Sequence, residues 1–322
     1  MRQFAKPTIV VSKCLEFDAC RYNGEMIPDG TIRNLQPFVT FIPVCPEVEI
    51  GLGTPRETIR IVEEYGENRL VQPSTREDVT EKMEQFSNDF LQTISDVDGF
   101  ILKNRSPSCG TRDVKIYSGF EKAPAKGKGS GLFGGAVVKK FSHLPIEEEG
   151  RLSNFIIREH FFTRLFTIAY YKMIKHNKNM KDLVSFQSDN KYLFMAYNQV
   201  KQKELGRIIA NHKNEKIEVV FENYEKTLYE LFMRTPRYTS NVNVCEHIFG
   251  YFKTKLKKQE KDHFIELLQK YAEKKIPLSS LLTILKSWAI RFDEKYLLRQ
   301  TYFEPYPEAL VEISDSGKGR DY

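Results

Sequence analysis

The first hundred residues alternate short apolar runs with segments of helical spacing. "TIVVS" (8–12), "FVTFIPV" (38–44) and "GFILK" (99–103) are β-branched or aromatic runs of strand length. "TIRIV" (58–62) and "RLVQ" (69–72), joined by "EEYGEN", predict a hairpin. One helix is predicted over 76–95. Ser74 and Glu77 have capping-box spacing, and Val79, Met83, Phe86, Phe90 and Ile94 share a face. Apolar strands separated by helical crossovers predict an α/β domain around a mainly parallel sheet.

Past residue 150 the period changes to helical throughout. Helices are predicted over 155–176, 180–198, 201–211, 215–233, 241–258, 260–275 and 279–302. In the last, Leu281, Leu282, Leu285, Trp288, Ala289 and Phe292 make a core stripe. Pro277 precedes it, with Ser279 or Ser280 as N-cap. "YFEPYP" (302–307) ends it, and the tail "SDSGKGRDY" reads as disordered. The expected organisation is an α/β domain over 1–150 and an all-α domain over 151–322. "KAPAKGKGSGLFGG" (122–135) reads as a flexible linker or as a loop that meets a substrate through its backbone.

Composition adds three constraints. No apolar run approaches the ~20 residues of a membrane span, and no signal peptide is evident, so a cytoplasmic protein is expected. Five widely spaced cysteines without a CxxC pair speak against a disulfide framework and an ordinary zinc finger. Residues 151–322 carry 30 Lys and Arg against 21 Asp and Glu, whereas residues 1–150 carry 19 against 22. The basic half is suited to a polyanion, or simply shows lysines to water.

Cys14, Cys45 and Cys109 each follow a predicted strand. Loops at the carboxyl ends of parallel strands converge on one crevice, so these three thiols can meet. Together they could hold zinc with an open position or an iron–sulfur cluster, or be small buried hydrophobes.

"VSKCLEFDACRYNG", "PVCPEVEIGLGTPR" and "FILKNRSPSCG" resemble the thiouracil desulfidase family. "KQKELGRIIA", "NVNVCEHIFGYFK" and "QTYFEPYPEAL" resemble the helical domain often fused to it. Such fusions are similar to bacterial desulfidases that convert 4-thiouridine in tRNA back to uridine. The resemblance implies a 4Fe-4S cluster held by Cys14, Cys45 and Cys109, with one iron open. It implies non-redox hydrolysis of C=S to C=O, on tRNA or on free thiouracil. Cys20 reads as a packing residue near the site and Cys245 as core. Departures are Asn23 where the family usually has Asp, the stretch "EMIPDGTIRNL", and Ser240 in place of a His. They bear on substrate contacts more than on the cluster.

That chemistry needs a carboxylate to activate water, and Glu47 is the first choice, Glu49 the second. Ser106 is placed to hydrogen-bond the substrate ring or the water. Ser12 and Ser108 are placed near substrate or cluster sulfur, and Arg21 and Asn23 near substrate. For RNA, "YYKMIKHNKNMK" offers Lys172 and Lys175, and "GYFKTKLKKQEK" offers Lys253, Lys257 and Lys258. Interleaved rings could stack on bases, and Lys126 and Lys128 could meet the backbone near the site. The acceptor of the released sulfide is not legible. A non-catalytic metal-containing RNA-binding protein is the alternative from another class. A hydro-lyase would want a set of arginines for a hydroxy acid, and none stands out.

Overall fold

A computed structural model describes residues 2–94, 96–120, 123–211 and 214–312. The predicted disorder of "SDSGKGRDY" lies outside these residues, as does Lys122. The strands are β1 Thr8–Ser12, β2 Thr40–Val44, β3 Arg60–Glu64, β4 Glu67–Gln72, β5 Glu77–Asp78, β6 Gly99–Leu102, β7 Val114–Tyr117, β8 Ala125–Gly129 and β9 Ile146–Glu148. Helices α1 Gly30–Leu35, α2 Pro46–Glu49, α3 Thr80–Thr93, α4 Leu132–Phe141, α5 Glu149–Leu152 and α6 Phe155–Asn177 accompany them.

Four strands, in the order β2-β1-β6-β9, form an all-parallel sheet. The chain therefore opens with the α/β domain that its pattern predicts. Ile9, Val10 and Val11 of β1 and Phe100, Ile101 and Leu102 of β6 are fully buried, as central strands covered on both faces require. At the far end Asp98 accepts the Thr8 N–H at 2.7 Å. The chain leaves β1 to one side for β2 and returns to the other side for β6. The order of strands thus reverses between β1 and β6, where ligand crevices form.

A second, mixed sheet runs β5-β4-β3-β7-β8. It contains the predicted hairpin, β3 with β4, antiparallel. It also absorbs the glycine-rich stretch. Residues 125–129 pair antiparallel with β7, and α4 begins at Leu132, so this stretch is not a linker. Helix α3 starts later than predicted. Glu77 lies in β5, so the Ser74–Glu77 box does not form; instead Asp78 Oδ1 accepts the Thr80 N–H at 2.9 Å.

Packing divides the chain into Met1–Ala169 together with the segment from Ala309 on, and Tyr170–Glu308. The division falls inside α6. The second unit is all-helical: α7 Met180–Asp189, α8 Lys191–Tyr197, α9 Gln199–Ala210, α10 Ile217–Leu231, α11 Tyr238–Gly250, α12 Lys258–Ala272, α13 Leu278–Arg291 and α14 Lys295–Leu298. Its core centres on rings, with Tyr171 and Tyr224 stacked at 5.4 Å. The helix predicted over 180–198 is broken at Asn190, whose buried amide donates to the Phe186 carbonyl at 2.8 Å and accepts from Thr301 Oγ1 at 2.7 Å. The helix predicted over 279–302 stops at Arg291, and Asp293 turns the chain at φ +50° before α14. Its N-cap is Pro277 rather than a serine hydroxyl. Leu281, Leu285, Trp288 and Ala289 are buried core residues. Among the described residues no helix is long and apolar enough to cross a membrane.

Candidate active site

Cys14 follows β1, Cys45 follows β2 and is the N-cap of α2, and Cys109 ends the turn after β6. All three line one cleft of about 370 Å³ at the carboxyl ends of the parallel strands. Cys20 lines it too. The Cys45 thiol lies 3.8 Å from the Cys20 carbonyl oxygen. Ser12, Arg21, Glu47 and Ser106 are also on its walls.

The Cys109 turn is held from three sides. Ser106 Oγ accepts the N–H groups of Ser108 at 3.2 Å and Cys109 at 3.1 Å. Helix α4 meets the turn backbone to backbone: Gly131 N–H donates to Gly110 O at 2.8 Å, and Gly134 N–H to Ser108 O at 2.9 Å. A Cβ on Gly134 would stand 2.4 Å from the Cys109 carbonyl oxygen, and one on Gly131 2.5 Å from that of Ser108. The glycines in "GSGLFGG" therefore serve close approach. Beyond Cys109, one buried Glu148 oxygen from β9 accepts Thr111 N–H at 2.7 Å and Arg112 N–H at 3.2 Å.

Glu47 sits in the first turn of α2. Arg56 Nη2 and Nε reach its Oε2 at 2.5 and 2.9 Å. Its Oε1 accepts from Ser108 Oγ at 2.9 Å, with Ser106 Oγ at 3.5 Å. Arg56 Nη1 also donates to the carbonyls of Cys20 and Gly53, each at 2.9 Å. Gly53, at φ +72°, gives that loop a left-handed turn that glycine adopts without strain. Arg56 was missed as a site residue by sequence reasoning, although it closes the motif "GLGTPR". Glu49, the second choice, is exposed on the same helical turn, because a helix and not a strand follows Cys45.

Lys103 is a second missed residue. It lines the cleft and is ion-paired to Glu149, with Asn104 Oδ1 as a further acceptor. Its backbone N–H donates to Ser12 Oγ at 2.8 Å.

Burial pushes the Cys14 thiol up to about 12, neighbouring Cys45 adds to this, and Lys103 opposes it. Cys20 is also pushed up to about 12 by burial, with Cys45 next. Cys109 is raised by burial, against a hydrogen bond from Ser12. Thiols crowded in a low dielectric keep their protons; a bound cationic centre would reverse this and stabilise the thiolates. The donor set therefore suits a soft metal centre. Among the described residues no three His, Cys, Asp or Glu side chains are close enough to share a single ion.

The other predicted residues divide. Ser108 is fully buried on Glu47. Asn23 is exposed and bonded to Glu25 at 2.6 Å, and Arg21 lies 3.3 Å from the same carboxylate. Lys126 and Lys128 lie in β8, paired with Glu63 and, at 3.1 Å, with Asp113. In the helical unit Lys175 pairs with Glu225 at 2.7 Å, Lys172 is half-buried on α6, and Lys253, Lys257 and Lys258 are exposed. Tyr171 and Phe252, two of the interleaved rings, are fully buried core.

Residues 9–149 match the family model described as 2-thiouracil desulfurase, and residues 191–307 match a protein of unknown function, DUF1722. The uncharacterized protein YbbK of Bacillus subtilis (strain 168) is 36% identical over 118 residues, 34% of this chain and 77% of that protein. The uncharacterized protein YbgA of Escherichia coli (strain K12) is 23% identical over 156 residues, 48% of this chain and 92% of that protein. Among solved structures, the 4Fe-4S-dependent thiouracil desulfidase TudS is 27% identical, with a TM-score of 0.36, over 46% of this chain and 93% of its own. The chain belongs to the 2-thiouracil desulfurase family and is a desulfidase, its family domain followed by a DUF1722 region.

Proposed function

We propose that the chain removes sulfur from 4-thiouridine in tRNA, giving uridine, with a 4Fe-4S cluster held by Cys14, Cys45 and Cys109. The observation that supports this most is the meeting of those three thiols with Glu47 in one cleft. A cluster is broader than a single ion, and thiols on three separate loops suit it. When bound, it would supply a Lewis acid that favours soft thiocarbonyl sulfur.

The protein's own residues do the rest. Arg56 takes Oε2 of Glu47, so Oε1 is the oxygen that accepts a proton from water attacking the ring carbon. Ser108 fixes that oxygen, and Ser106 lies between it and the Cys109 turn. Ser12 orders the start of the Lys103 loop. Arg21 lines the mouth of the cleft and meets the nucleotide, with Asn23 nearby in sequence. In tRNA the thiolated base must leave its stack to enter such a cleft. Lys172 with Lys175, and Lys253 with Lys257 and Lys258, are two lysine groups of the helical unit that would hold phosphates, and Lys126 and Lys128 would do so separately in the α/β unit.

Free thiouracil is the second reading, favoured by the family model's match to the N-terminal region alone. An anaerobic assay separates the two: reconstitute the cluster, add thiolated bulk tRNA, and follow the near-ultraviolet absorbance of 4-thiouridine. Cluster-dependent loss, with uridine in the digest, supports the tRNA reading. No loss with tRNA but turnover of free thiouracil overturns it. A KM that rises steeply with salt marks phosphate contacts.

A further inference from the structure

The helical unit holds a tyrosine cluster that desulfuration does not use. Tyr192 lies in α8, Tyr251 follows α11, and Tyr296 lies in α14. The Tyr251 and Tyr296 rings stack at 6.3 Å and 22°, and Tyr192 meets Tyr296 edge-on at 6.4 Å. The Tyr192 and Tyr251 hydroxyls lie 3.3 Å apart. Gln300, fully buried, accepts the Tyr192 N–H at 3.3 Å and donates to Ser188 O at 2.9 Å. The cluster is thus fixed on its protein side. Yet Tyr251 keeps 37% of its surface in solvent, unlike the buried Tyr171–Tyr224 stack of the core.

Each ring has a cation within two residues of it along the chain. Lys191, Lys253, Lys295 and Arg299 are all exposed, and Lys191 Nζ is 5.4 Å from the Tyr192 ring. Asp189 lies 3.6 Å from Arg299, and Asp293 lies 3.9 Å from Lys295. A ring surface set among cations fits a flat, apolar-faced group carried on a polyanion.

We infer that Tyr251 and Tyr296 form a stacking platform for an unpaired nucleobase of RNA, with Lys191, Lys253, Lys295 and Arg299 on the adjoining phosphates. This rests on the RNA reading above and names the surface that serves it. Paired bases hide their faces, so the platform selects single-stranded or looped nucleotides.

The test uses the full chain and two end-labelled RNAs of about 12 nucleotides, one single-stranded and one the matching duplex, read by fluorescence anisotropy. Tyr251→Ala and Tyr251→Leu should each weaken single-strand binding by about 5- to 100-fold, the equivalent of one stacked base. Tyr251→Phe should stay within about twofold, and none of the three should change the salt slope. Lys253→Glu with Lys295→Glu should lower the slope instead. Parent-like binding by both Tyr251→Ala and Tyr251→Leu, or equal weakening on the duplex, overturns the platform. If thiolated tRNA binds the parent and Tyr251→Ala alike, the platform fails alone. If the parent binds no RNA, the RNA reading fails with it.

Discussion

Arg56 grips Glu47 by a single oxygen: both its Nη2 and its Nε reach Oε2, while Oε1 is left to the serines of the Cys109 turn. One salt bridge therefore joins the loop after β2 to the turn after β6 through one carboxylate. The Arg56 and Glu47 side chains are only 4% and 13% exposed, so this is not a surface pair. Removing the arginine would strand a charge rather than free it. Arg56→Ala should lower stability by about 3–5 kcal/mol, read from denaturant midpoints. A loss below about 1 kcal/mol would place the pair with ordinary exposed bridges.

Glu47→Gln keeps the shape of the side chain and removes its basicity. Iron content and substrate binding should be retained while turnover falls by about a hundredfold or more. Turnover equal to the parent would take Glu47 out of the proton transfer.

Cys14→Ala, Cys45→Ala and Cys109→Ala should each lose iron, acid-labile sulfide and activity together, whereas Cys20→Ala should keep all three. The discriminating measurement is metal and sulfide content after anaerobic reconstitution. Full occupancy in Cys109→Ala would sink the ligand assignment.

The glycines of α4 offer a test that touches no functional side chain. Gly134→Ala places a carbon 2.4 Å from a backbone oxygen of Cys109, which no rotamer can relieve. It should cost about 1–3 kcal/mol and reduce cluster loading, while Gly30→Ala, with open space around it, should do neither. Normal iron content in Gly134→Ala would show that the turn can move aside.

Neighbouring groups on α6 set opposite pH slopes. Burial raises Glu159 to about 7, against Arg158, so its folded form holds a proton that the unfolded chain releases. Its contribution is full below about 4.5 and is lost as pH rises through about 7. Burial lowers His160 to about 3, with Arg164 adding to this. Its contribution is full above about 6.5 and is lost as pH falls toward about 3. Between about 4.5 and 6.5 the two cancel. Glu159→Gln should therefore become less stable as pH falls through that window, and His160→Gln as pH rises. Parallel stability–pH curves for parent and both variants would reject this.

Much of the site was legible because strand ends are legible. Runs of β-branched residues located β1, β2 and β6, and the cysteine after each then followed from parallel topology. What the pattern missed has a common cause. Arg56, Lys103 and the α4 glycines act through contacts distant in sequence, and no local period marks them. Lys128 and Lys126 looked like loop residues because glycine-rich strands carry no apolar alternation, yet pairing with β7 orders them. Asn190 broke a helix that its flanking apolar spacing would have continued, since its amide bonds could not be read from the pattern.

The fit of α4 and β9 against the Cys109 turn also bears on how this protein can be cut. Every cysteine of the cleft lies before residue 110, but Gly131, Gly134 and Glu148 come afterwards. A fragment ending near residue 120 would contain each cysteine of the cleft and still lack the surface that presses the last of them into place. Gathering the cysteines and shaping the cleft are thus tasks of separate stretches of chain, and a nascent polypeptide must emerge past β9 before the cleft can take its native form.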